Sequence, residues 1–143
     1  DIRIASESAR IGAGVLKTGL SNCDVGISYL LPRIVGAGIA AELMLTNRFV
    51  EADEALRIGL ASRVVDPATL DATALDIARA IRGGPEYGIW MTKKTLRLAL
   101  DANSLRQAME MENRTQVLGY FTGAMTAMRE AFARGEQPQW PSL

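Results

Sequence analysis

The chain has 143 residues, 48% hydrophobic and 22% charged, with a formal net charge of zero, enough apolar material for the core of an ordinary single globular domain. The balanced charge gives no pull toward nucleic acid or an anionic membrane surface. No apolar run approaches the roughly 20 residues of a membrane-spanning helix, and the N-terminus lacks the charged-then-apolar pattern of a secretory signal, so the expectation is a cytoplasmic protein.

Asp1 to Ala5 alternates polar and apolar, and Ala9 to Gly12 does so again, predicting two short strands with Ser6-Glu7-Ser8 turning between them. Two such strands cannot form a stable sheet alone, so the chain is expected to begin at the edge of a larger β structure, with N-terminal material missing or supplied by another chain. The stretch from Ala9 to Gly36 then organises the rest: a glycine-rich loop carrying Asp24 opens into the first strongly apolar helix. Backbone N–H groups and a carboxylate at a helix start are well placed to polarise a ligand, and they are equally a common way to begin a helix. Cys23, the single cysteine, cannot form an internal disulfide, and beside Asp24 it reads as a small buried or half-buried thiol rather than a nucleophile.

Ala37 to Leu45 predicts a helix that is apolar on most sides and therefore buried, ended by Thr46-Asn47-Arg48. Glu51 to Ile58 predicts a short helix with acidic residues in its first turn and Gly59 as its stop, followed by an extended Leu60 to Val65. Asp66-Pro67 is a helix start, with Leu70, Ala74, Ile77, Ala78 and Ile81 at helical spacing before Gly83-Gly84. Pro85 begins a helix to about Leu100, on which Lys93, Lys94 and Arg97 form a solvated face or a phosphate contact. Ser104 and Gln107 stand in capping-box relation at the head of the next helix, with Arg106, Glu110 and Arg114 in i, i+4 register and Leu105, Met109 and Val117 as its inner stripe. Met109, Met125 and Met128 read as packing filler. The last helix runs from about Thr122 to Arg134, and the proline-broken tail carries Trp140, expected to pack on a neighbouring subunit.

The sequence contains no histidine. That removes Ser–His and Cys–His nucleophilic systems and nearly all catalytic zinc sites, leaving proton transfer to a carboxylate, a lysine, a tyrosine or a held water; no metal is expected.

The runs DIRIASESARIG and GLSNCDVGISYLLPRIVGAGIAAELMLTNRFVEADEALRIGLASRVVD, and the helices through AFARGEQPQW, resemble the second half of the enoyl-CoA hydratase/isomerase family over essentially the whole chain. The resemblance implies an α/β fold of the crotonase (ClpP/crotonase) type. This chain would then be its mostly helical C-terminal part with a few short strands. Residues 1–65 would be a remnant of the β-spiral core with the active-site loop, and 66–143 a helical oligomerisation region.

The family binds acyl-CoA thioesters and holds an enolate-like oxygen with two peptide N–H groups while carboxylates move protons. In that pattern the first catalytic glutamate and both oxyanion-hole peptides fall before Asp1, and the second glutamate falls on Val15. Cys23-Asp24-Val25-Gly26 is similar to the segment in which dienoyl-CoA isomerases carry a proton-transferring aspartate, although Gly19 to Asp24 is one residue longer here. Asp24 is therefore the implied catalytic residue; read from the residues alone, it serves equally as the N-cap of the following helix.

Ala131-Phe132 matches a pair that reaches coenzyme A from the last helix. The family's phosphate-binding lysine falls on Gly135, so the phosphate contact is either absent or made by Arg134; Phe132 reads equally as a packing residue. The resemblance further implies no cofactor beyond the coenzyme A of the substrate, and a homo-oligomer, a trimer or dimer of trimers. Three functions follow: the C-terminal portion of a hydratase or isomerase, inactive as this chain alone; a truncated, non-catalytic helical oligomerisation module; or a small protein that binds acyl-CoA through the remaining half-site.

Overall fold

Strand β1 (Ile4–Ser6) lies parallel to β4 (Arg63–Val65), with Ile4 opposite Arg63 and Ser6 opposite Val65. β2 (Arg10–Ile11) lies antiparallel to β3 (Val50–Glu51), with Arg10 opposite Glu51. In this computed structural model, which describes residues 1–142, the two N-terminal strands expected from the sequence are present and the turn between them is closed by Ala9 N–H to the Ser6 carbonyl at 2.9 Å. Each strand pairs with a later segment of the chain rather than with the other. A parallel pair needs a long crossover, and the helices between β1 and β4 supply it.

The chain divides into two compact units, residues 1–75 and 76–143. In the first, Gly26 with φ 87° begins α1 (Ile27–Val35), whose Leu31 and Val35 are four apart and both buried. Gly36 ends α1 and begins α2 (Ala37–Thr46), and Asn47 ends α2 in the left-handed region with φ 55°. Only Ala40 and Leu43 of α2 are buried, and Leu45 is 76% exposed, so the helix expected to be buried on most sides turns one face inward. The physical reason is partnership: α2 packs chiefly on α1, and one partner can cover only one stripe of a helix. After β3, α3 (Ala52–Arg57) carries Asp53 and Glu54 in its first turn, and Gly59 with φ 74° follows. The core is Ala5, Leu31, Val35, Ala40, Leu43, Val50, Ala55, Leu60 and Ala61.

Asp66 Oδ1 accepts from Ala68 N–H at 2.7 Å, the cap expected there, and a single 3-10 turn leads into α4 (Leu70–Arg82). The division between the units falls within α4.

In the second unit α5 (Glu86–Ala99) packs on α6 (Leu105–Tyr120), and α6 contacts α7 (Ala124–Arg134). Ser104 Oγ accepts from Gln107 N–H at 3.2 Å, while Gln107 Oε1 reaches back to Asn103 N–H at 2.8 Å. The inner stripe of α6 is Ala108, Met111, Thr115 and Gly119; Leu105, Met109 and Val117, expected to face inward, are exposed. Small residues win this face because α5 comes close: Tyr87 Oη donates to the Thr115 carbonyl at 2.9 Å, and a Cβ on Gly119 would stand 3.4 Å from the Tyr87 ring. Trp140 is half-buried and donates from Nε1 to the Gly83 carbonyl of its own chain at 2.6 Å. Within the chain, the tail thus folds back onto its own unit. No helix among the described residues is long and apolar enough to cross a membrane.

Candidate functional site

The loop from Gly12 to Gly26 is fixed to α2 by two buried asparagines. Asn22 Oδ1 accepts from Leu16 N–H at 2.8 Å, and its amide donates to the Met44 carbonyl at 2.6 Å and to Asn47 Oδ1 at 3.1 Å. Asn47 Oδ1 also accepts from Gly14 N–H at 3.0 Å. The loop is largely exposed, with Asn22 as its buried residue, and the two asparagine side chains satisfy its part-buried backbone donors. Neither asparagine was among the candidate residues; the available signal was an Asn in a position that ends a helix, Asn47, where the left-handed conformation is tolerated.

At the other edge, Phe49 lies against Gly12. A Cβ on Gly12 would approach Phe49 Cδ1 to 2.8 Å, so only glycine fits this crossing of β2 and β3. Arg10 lies over the Phe49 ring at 4.7 Å and pairs with Glu51 at 2.9 Å.

Between these supports lies an apolar pocket of about 330 Å³. Its floor and walls come from Leu31, Ile34, Leu43, Met44, Val50 and Leu60, and the loop contributes Gly12, Ala13 and Val25. Its only ionic lining residue is Arg48, whose charge is already engaged. Nη1 and Nη2 bind the two oxygens of Glu54 at 2.8 Å each, and Nε binds Glu42 at 2.7 Å. The hydrogen bonds that Arg48 donates to Glu54 and then to Glu42 raise its guanidinium above the ordinary range, against a smaller opposing effect of burial. The hydrogen bond from Arg48 lowers the Glu54 carboxyl, again against burial. Such a pocket accepts an apolar chain and offers little to a charged group.

Asp24 stands exposed on this loop, next to Val25 in sequence. Its Oδ1 accepts from Val25 N–H at 2.8 Å and its carbonyl accepts from Ile27 N–H at 2.9 Å. The N-cap of α1 is Gly26, without a side-chain cap bond, so the expectation that Asp24 caps this helix is corrected. The reason is the turn itself, which spends the carboxylate on the next residue before the helix begins. Cys23, expected to be buried or half-buried, is exposed, its N–H donating to Ser21 Oγ at 2.9 Å. Val15 opens a 3-10 turn, Val15–Thr18, and is half-buried.

Phe132 and Arg134 lie on α7 in the second unit, whereas Asp24 belongs to the first. Phe132 is 84% exposed, and Arg134 Nε pairs with Glu136 at 2.8 Å.

The family model described as enoyl-CoA hydratase/isomerase matches residues 1–142. A Mycobacterium tuberculosis protein named probable enoyl-CoA hydratase EchA12 is 44% identical over 139 residues, 96% of this chain and 48% of that protein. The short-chain-enoyl-CoA hydratase of Clostridium acetobutylicum is 40% identical over 96 residues, 67% of this chain and 36% of that protein. The crystal structure of an enoyl-CoA hydratase from Bacillus anthracis superposes with a TM-score of 0.92 at 28% identity, over 98% of this chain and 54% of that one. The chain thus spans about half the length of the Mycobacterium tuberculosis relative.

Proposed function

The chain belongs to the enoyl-CoA hydratase/isomerase family, and from that premise we propose that it is the C-terminal portion of an enzyme that hydrates or isomerises acyl-CoA thioesters through a stabilised enolate. Its fold is the helical, C-terminal part of the crotonase fold. The observation that carries the functional reading is the apolar pocket bordered by Val25, the residue after Asp24, which gives an acyl chain a place. In this reading the acyl chain enters between Val25 and Met44. In isomerisation Asp24 takes a proton from one acyl carbon and returns it to another, so that protons are conserved overall.

Two further parts of the reading rest on the second unit. Phe132 is proposed to lie against coenzyme A and Arg134 to approach its phosphate; the exposure of Phe132 and the solvent-accessible pairing of Arg134, which a phosphate can displace, support this. A homo-oligomer, a trimer or dimer of trimers, is proposed on the exposed apolar residues Leu96, Leu105, Val117 and Phe121. By the resemblance the oxyanion-hole peptides fall outside residues 1–143, and this chain by itself is proposed to be inactive.

The test is turnover of crotonyl-CoA, followed by loss of its conjugated absorbance, and of a 3-enoyl-CoA, followed by its appearance, with the full-length protein and with residues 1–143 side by side. Activity in the full-length protein alone is the expected result. A full-length protein that neither binds nor converts any enoyl-CoA would overturn the reading.

A further inference from the structure

Val25 occupies a backbone conformation its side chain disfavours. Asp24 to Ile27 form a four-residue turn closed by Ile27 N–H to the Asp24 carbonyl at 2.9 Å, and both central residues have positive φ, 42° at Val25 and 87° at Gly26. Turns of this kind are filled by asparagine, aspartate and glycine, and a β-branched residue there is an outlier. Burial within the chain does not compensate, because Val25 is 92% exposed. The exposed Val25 nevertheless lines the apolar pocket, together with Leu30, Ile34 and Met44. A strained, exposed, apolar side chain at the mouth of an apolar pocket has a use when something apolar enters.

We propose that Val25 is a specificity-determining residue of this site, whose side chain closes over the apolar chain of a bound acyl thioester. The proposal rests on the acyl-CoA reading above. The turn sets the rim while the carboxylate of Asp24, one residue earlier, accepts from the Val25 backbone N–H. Chain-length discrimination and proton transfer are therefore assigned to neighbouring but separate side chains.

The test uses the full-length protein with Val25→Asn and Val25→Gly, both of which fit a positive φ, against a series of saturated acyl-CoAs from acetyl-CoA upward. Wild type is expected to bind longer chains more tightly. Both variants are expected to weaken the longest chains about tenfold while leaving acetyl-CoA unchanged, and to melt at the wild-type temperature or above it because strain is relieved. Unchanged affinities along the series would overturn the proposal and leave the acyl-CoA reading standing. A lower melting temperature in both variants would also overturn it, by showing that Val25 packs against protein instead of ligand. A wild type that binds no acyl-CoA of any length removes the functional reading and this proposal together.

Discussion

Asn22 Nδ2 donates to Asn47 Oδ1 at 3.1 Å with both residues almost out of solvent, at 4% and 5% exposure. Asn47 Oδ1 also takes Gly14 N–H, so one oxygen holds two points of the loop that borders the pocket. Replacing Asn47 by alanine strands the Gly14 N–H and one Asn22 proton and places a Cβ residue without a local hydrogen bond at φ 55°. A loss of about 2–4 kcal/mol in denaturant unfolding is expected. Asn47→Gly keeps the hydrogen-bond loss but removes the backbone strain, so it should cost about 1 kcal/mol less than the alanine variant. Equal losses for the two would show that the left-handed conformation contributes nothing.

The Gly12 and Phe49 crossing makes a second prediction. Gly12→Ala pushes its Cβ into the ring, 2.8 Å from Cδ1, and should destabilise by about 1–3 kcal/mol. Phe49→Ala alone also destabilises, by the loss of its contact with Gly12 and of the Arg10 stacking at 4.7 Å. In the double variant the clash has no partner, so the two losses should fall short of additivity by about 1 kcal/mol or more. Additive losses would remove the steric account.

Which of these features the sequence shows depends on how local their causes are. Asp66 with Pro67, and Ser104 with Gln107, are legible because cap and capped N–H lie within three residues of one another. The β1 and β4 pairing is not, because Ile4 and Arg63 meet only through the path of everything between them. On α6 the eye goes to Leu105, Met109 and Val117 as the largest apolar side chains, yet the packed face is Ala108, Met111, Thr115 and Gly119. Hydrophobicity alone ranks large above small, whereas a close helix pair selects small, and the approach of α5 is not written in α6. At the site, the resemblance reached Asp24 but not its supports: Asn22 acts through hydrogen bonds to residues up to 25 positions away, and nothing in its neighbours announces that.

The Arg48 and Glu54 pair predicts a pH dependence. Glu54 has its carboxyl lowered by the hydrogen bond from Arg48, so the native state favours the ionised form more than the unfolded state does. The sign follows: this stabilisation is fully present above the ordinary glutamate range and is lost as pH falls through the lowered native value. Melting temperature should therefore fall as pH drops through the ordinary glutamate range and below it, and Glu54→Gln should reduce that fall while lowering stability at neutral pH. Arg48→Lys keeps the charge but cannot span both oxygens of Glu54, and should behave as a partial loss. An identical acid slope in wild type and Glu54→Gln would exclude the pair as a contributor.

Asp24→Asn in the full-length protein separates chemistry from structure. An asparagine oxygen can accept the Val25 N–H as the carboxylate does at 2.8 Å, so the turn should persist and the melting temperature should stay at the wild-type value. If Asp24 moves protons, kcat should drop by on the order of 10²-fold or more, because an amide cannot take a proton near neutral pH. A variant with unchanged kcat would take Asp24 out of the mechanism.

The tail gives the last prediction. Trp140 Nε1 reaches the Gly83 carbonyl at 2.6 Å, and Pro141 comes within 3.9 Å of the position a Cβ would take on Gly123, so residues 140 and 141 touch two turns of their own unit. Gly83 is exposed, and water can replace the indole as its donor. Trp140→Phe, which keeps an aromatic ring but not the donor, should therefore cost only about 0.5–1.5 kcal/mol. Trp140→Ala also loses the half-buried ring and should cost visibly more, up to about 3 kcal/mol. An intrachain contact makes the difference in melting temperature between variant and wild type independent of protein concentration. A contact with a neighbouring subunit makes that difference change with concentration, because the lost interaction then belongs to assembly. The geometry predicts the first behaviour, and a concentration-dependent difference would return Trp140 to the subunit interface that its place on an irregular tail had suggested.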